Sequence, residues 1–151
     1  MAAVVGLGIA EDRNLEAPVG NAHGLSIEWL RISAGGSVSQ HRLTEKQVLI
    51  AKQGVVEVSV ETTEGPVPCT LVGTPTAWDT FSIPAHARRR IRNTGPGEAR
   101  LLVMTAGDHR KRIEWDDEVV AAAAEAGLSL SNEALALAEL RSQRAAGRFV
   151  F

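Results

Sequence analysis

The stretch Gly35–Gly54, GGSVSQHRLTEKQVLIAKQG, decides how the chain is read. A glycine pair opens it, the polar turn Thr44-Glu45-Lys46 divides it, and Gln53-Gly54 closes it. Val38–Leu43 and Gln47–Lys52 read as short strands on either side of that turn. Its counterpart is Trp78–Asn93, WDTFSIPAHARRRIRN, with strands expected at Phe81–Ile83 and Arg88–Arg92 around Pro84. Side chains alternate along a strand, so His41 shares a face with Leu43, Gln47 with Leu49, and Arg89 with Ile91.

Outward from these stretches the punctuation continues. Residues 1–20 read as an irregular N-terminal arm, closed by the turn Pro18-Val19-Gly20-Asn21. Leu25–Ile32 alternates and is rich in strand formers. Val55–Glu61 puts Val56, Val58 and Val60 on one face and Glu57, Ser59 and Glu61 on the other, a strand with one wet side. Thr62–Pro68 reads as a turn-rich loop, Cys69–Val72 and Arg100–Thr105 as further strands. Short strands at near-regular spacing argue for a mainly β sandwich or barrel. The character changes at Trp115. Asp116-Asp117-Glu118 opens a helix that Gly127 stops, and Ser131-Asn132-Glu133 opens a second with Leu135, Leu137 and Leu140 on its buried side. The expected layout is an arm (1–20), a β-barrel (21–112) and a helical extension packed on it (113–151), forming one domain.

The bulk composition excludes several classes. A formal net charge of −2 creates no field for nucleic acid or anionic membrane. Arg88, Arg90 and Arg92 alternate with Arg89 and Ile91, so they form a solvated outer face and not a nucleic-acid patch. A single cysteine permits no internal disulfide and no thiolate metal cage. The N-terminus has no basic residue before its apolar run and no run long enough to span a bilayer, so a cytoplasmic protein is expected.

The two stretches resemble the paired motifs of the cupin superfamily. Gly35, His41, Gly54, Asp79, Pro84 and Asn93 keep the family's spacing over roughly residues 25–107. The resemblance implies a cupin-type β-barrel or jelly roll, commonly paired into a homodimer, with a metal held between the motifs. The ligand positions depart from that pattern. Leu43 stands at the second histidine, Gln47 at the glutamate and Arg89 at the last histidine, while His86 stands where glycine is expected. Leu43 offers no donor atom and Arg89 is a permanent cation, so no metal and no other cofactor is expected.

The same residues suit a small organic anion. Arg89 forks onto a carboxylate or enolate oxygen, His41 serves as general acid or base, and Gln47 orients substrate or holds the His41 tautomer. Leu43, Trp29, Trp78, His86, Ile91 and Met104 are expected to shape the substrate pocket. The expected activity is metal-independent acid–base chemistry, a cyclisation, isomerisation or dehydration of an acidic or enolic compound. By family analogy this is the chemistry of secondary-metabolite tailoring. A sugar-nucleotide epimerase of this family uses a tyrosine acid, and the chain contains none. Two alternatives are a metal-dependent dioxygenase with a remodelled site using His41, His86 and a carboxylate, and a non-catalytic binding module. A structural ion pair of Arg89 with Glu28 or Asp79 is the competing reading of that arginine.

Overall fold

A computed structural model describes residues 1–6, 8–9, 17–20, 23–107 and 109–127. Its strands are β1 (Ala2–Val5), β2 (Leu25–Ile32), β3 (Ser37–Arg42), β4 (Gln47–Thr62), β5 (Gly65–Gly73), β6 (Thr80–Ile83), β7 (Arg89–Asn93), β8 (Ala99–Ala106) and β9 (Glu114–Trp115). One helix, α1 (Asp117–Glu125), follows them among the described residues. All strand pairings are antiparallel, in the order β1-β2-β8-β4-β7-β3-β9, with β5 and β6 also on β4. The sheet is curled into a half-barrel.

β4 explains the curl. Its first half pairs with β8 and β6, and its second half pairs with β7 and β5. The sequence suggests a strand break at Gln53-Gly54, yet the strand runs on through it. Gly54 bends β4 instead of ending it: its φ is +86°, and a Cβ there would lie 3.0 Å from the Ala99 Cα. Only glycine meets both conditions without strain. The Thr62–Pro68 segment, expected as a loop, is mostly strand. Pro66 and Pro68 sit in β5, at the sheet margin where a missing N–H costs no ladder bond.

Two further strands escaped sequence reading. Ala2–Val5, inside the expected irregular arm, pairs with β2, and Glu114–Trp115 pairs with β3 ahead of the helix. Both are too short to show periodicity and are stabilised by their partner strand. Val119, Val120 and Ala123 of α1 pack against the core, and Gly127 follows with φ +77°, the left-handed stop expected there. The second expected helix, with Leu135, Leu137 and Leu140, lies outside the described residues.

Inward positions follow strand parity. Leu30, Ile32, Val38, Leu43, Leu49, Val56, Val58, Ile83, Ile91, Leu101 and Val103 are buried together. The half-barrel has two unlike ends. At one, β3, β6 and β8 finish while β2, β4 and β7 begin. That end collects Ser26, Glu28, His41, Gln47, Arg89 and Thr105, all buried. At the other, Asn93 is the buried polar side chain among aliphatic ones.

Candidate functional site

At the polar end β3 and β7 lie side by side, with His41 directly opposite Arg89. A backbone bond from His86 N to the Leu43 carbonyl oxygen, 2.8 Å, ties the turn before β7 to the end of β3. Leu43 is fully buried on the same face as His41, an apolar side chain with no donor atom beside the imidazole.

The His41 ring is fixed on two sides. Its Nδ1 lies 2.8 Å from the Ser39 carbonyl oxygen. A carbonyl oxygen only accepts, so Nδ1 carries the proton and Nε2 keeps its lone pair. The Trp115 ring of β9 stands against it, centroids 5.4 Å apart and tilted by 54°. Burial lowers the imidazole pKa to about 4; the Ser39 bond opposes this and the Arg89 charge adds to it. His41 is therefore neutral near pH 7, a base and not an acid in its resting form. The tautomer is held by Ser39, not by Gln47.

Arg89 has no exposed surface. Its Nη1 donates to the Ala87 carbonyl oxygen at 2.7 Å, while its buried Nε and Nη2 have no hydrogen-bond partner. Burial lowers its pKa to about 10, with the Glu45 charge acting in the opposite direction, so the guanidinium remains protonated at neutral pH. Neither expected partner neutralises it. The Asp79 carboxylate accepts from Val72 N at 2.9 Å, and Glu28 accepts from Ile9 N at 2.9 and 3.0 Å. A buried cation with two unused donors is costly in a finished core and suited to an anion that arrives later.

Gln47 faces inward from β4, opposite Thr105 of β8, and its Nε2 donates to Thr105 Oγ1 at 3.2 Å. It thus stands on the other set of strands, with no hydrogen bond to His41 or Arg89. Ile91 lies behind Arg89 on the same face and is buried.

Three expected pocket residues stand elsewhere. Trp29 and Trp78 are 36% and 53% exposed. Trp29 takes an outward position of β2, and Trp78 lies under the Lys52 ammonium, a surface cation–π contact. Met104 is half-buried and pairs with Ile27 and Val48, on the outward side of β8, whose inward side is Leu101, Val103 and Thr105. Strand parity in ARLLVMT already separated these two sets. His86 is exposed, and its φ of +62° is the left-handed conformation that glycine adopts freely. The backbone at that position takes the left-handed shape that suits glycine, and the side chain is exposed to solvent.

Sequence reading missed Glu45, Thr105 and Trp115. Thr105 was legible from parity. Glu45 sits in a turn, where nothing in the sequence gives side-chain direction. The Trp115 indole nitrogen is buried and without a partner, beside His41.

The residues do not fit the metal centre of the fold. Leu43 lacks a donor, Arg89 repels a cation, and Gln47 is committed to Thr105. Among the described residues no group of three His, Cys, Asp or Glu side chains could hold a metal ion.

No protein-family profile matches the sequence, and no curated protein matches it. Solved structures match the fold. Oxalate oxidase superposes with a TM-score of 0.55 at 15% identity, over 82% of this chain and 64% of its own. Peruvianin-I, a cysteine peptidase from Thevetia peruviana latex, gives 0.51 at 20% identity, over 57% and 52% of the two chains. A cupin superfamily protein from Desulfitobacterium hafniense gives 0.48 at 19% identity, over 58% and 72%. The chain thus spans about half the length of peruvianin-I and under two thirds of oxalate oxidase. At these identities the likeness is one of fold, and the fold is that of the cupins.

Proposed function

We propose that this cupin-fold chain is an acid–base enzyme working without a metal on a small organic acid or enol, by isomerisation, cyclisation or dehydration. One observation carries the reading: a fully buried guanidinium with two unpartnered donor nitrogens stands opposite a neutral imidazole whose Nε2 lone pair is free of the proton. The substrate's carboxylate or carbonyl oxygen takes the Arg89 donors. His41 Nε2 removes a proton from the neighbouring carbon, and the C–H electron pair moves onto the carbonyl oxygen as an enolate. Arg89 stabilises that charge where water screens it poorly. The imidazolium so formed is strongly acidic in this setting, and it returns the proton to another atom of the substrate or to a departing hydroxyl. Isomerisation and dehydration both conserve atoms and electrons by this route. Leu43 and Ile91 keep the reacting face apolar. That cupin-fold neighbours include enzymes makes an enzymatic role plausible. A homodimer with cytoplasmic residence completes the proposal; no helix among the described residues is long and apolar enough to cross a membrane.

The test is proton exchange, which needs no knowledge of the product. A panel of small 2-hydroxy, 2-oxo and 3-oxo monocarboxylates is incubated with the protein in deuterated water and followed by NMR. Wild type is expected to accelerate exchange of the proton next to the carbonyl for at least one compound. His41→Ala and Arg89→Met are expected to lose the acceleration while remaining folded. Equal exchange by all three proteins sinks the proposal. Binding without exchange leaves a small-molecule-binding module.

A further inference from the structure

Arg89 feels a second charged residue that the proposed chemistry leaves unused. Glu45 lies in the turn between β3 and β4, at the polar end. Its side chain is 14% exposed. Oε1 is held by the His109 Nε2 at 3.2 Å, from the segment that follows β8, and Oε2 is buried with no hydrogen-bond partner. Glu45 and Arg89 feel one another electrostatically, yet no hydrogen bond or ion pair joins them. Two opposite charges, each with a buried unused polar atom, therefore stand at the same end of the half-barrel without pairing with each other. Direct contact would have satisfied both, so the gap is what requires explanation.

We infer that Glu45 selects the charge of the ligand, admitting a monoanion that carries an O–H or N–H donor beside its carboxylate and rejecting dianions. The inference rests on the anion site proposed around Arg89. The carboxylate of such a ligand takes Arg89 Nε and Nη2, and its hydroxyl or amino hydrogen is donated to Glu45 Oε2. A second negative charge would stand against Glu45 in a weakly screened site, where like charges repel strongly. Hydroxy monocarboxylates meet these conditions and dicarboxylates do not. His109 restrains the carboxylate from outside and is itself largely exposed, so the filter sits at the solvent side of the site.

Lactate, propionate and malonate are matched probes: three-carbon acids with one charge and a donor, one charge without a donor, and two charges. Their affinities are measured by NMR titration of wild type, Glu45→Gln and Glu45→Asp. Wild type is expected to bind lactate better than propionate, and malonate at least about tenfold more weakly than lactate, the ratio produced by one modest charge repulsion. Glu45→Gln is expected to erase the penalty on malonate, and Glu45→Asp to keep it. Malonate binding wild type as well as lactate, or an unchanged lactate-to-malonate ratio in Glu45→Gln, overturns the filter while the anion site stands. No binding of any probe to folded wild type overturns both.

Discussion

The two ends of the half-barrel differ in whether any of their buried polar side chains are left with unused atoms. At the far end Asn93 is fully used: Nδ2 donates to the carbonyl oxygens of Ile32, Ser33 and Gly97, and Oδ1 accepts from Gly95 N. It stitches the end of β7 to the end of β2 and the turn before β8, and nothing is left over. At the polar end Arg89 uses one of its donors, Glu45 one of its oxygens, and the Trp115 N–H none. A buried polar group that is satisfied reports on architecture. One that is left wanting, in a fold that pairs its polar groups elsewhere, reports on a ligand.

Substitutions can break this contrast. The largest effect is expected at the satisfied end. Asn93→Ala removes four hydrogen bonds and strands three buried or half-buried carbonyls, so unfolding should become easier by about 3 kcal/mol or more in urea titrations. A loss under about 1 kcal/mol would mean that the Asn93 network is not structural.

His41 gives the next effect, through pH. Its pKa is about 4 in the fold, whereas a histidine in the unfolded chain titrates near 6.5. Between those values the unfolded chain holds the extra proton, so stability falls as pH drops through this window, by about 3 kcal/mol for the full shift. His41→Gln should lack that part of the slope when the urea midpoints of both proteins are compared at pH 7 and pH 4. Parallel slopes would place His41 in contact with water.

Smaller effects mark residues that only border the site. His86→Gly relieves a left-handed backbone, and a gain of about 0.5–1 kcal/mol is expected after the added flexibility of glycine is subtracted. Ligand binding should be unaltered. Trp78→Ala removes an exposed ring and its Lys52 contact, and should change stability by no more than about 1 kcal/mol and binding not at all.

Most of the fold was legible in the sequence because alternation and turn residues are local signals. Leu25–Ile32 is the β2 strand residue for residue, and Val56, Val58 and Val60 are buried as their parity required. β1 and β9 were not legible, because a strand of two to four residues is made by its partner and not by its own pattern. At Gly54 the sequence pattern suggests a stop, since a glycine that bends a strand and one that ends it look alike without the close approach of Ala99. Of the candidate site, the inward direction of His41, Gln47 and Arg89 followed from parity. Which of them meet depends on how the sheet curls. His41 and Arg89 face each other across a ladder, whereas Gln47 is taken up by Thr105. Trp29 has a ring suited to a pocket, although its strand position points outward, and Trp78 lies exposed between β5 and β6. Glu45 lay in a turn, and only the packing of His109 against it shows where its carboxylate goes.

The most direct test of the central claim is the thermal unfolding of wild type and Arg89→Met, each with and without lactate. If Arg89 is a cation held unpaired for a ligand, the variant relieves a buried charge. Without lactate it should be more stable than wild type, by about 1–3 kcal/mol. Lactate should then stabilise wild type and leave the variant unmoved. A variant less stable than wild type, or one that lactate stabilises equally, would contradict the account, because Arg89 would then be a structural residue of the core.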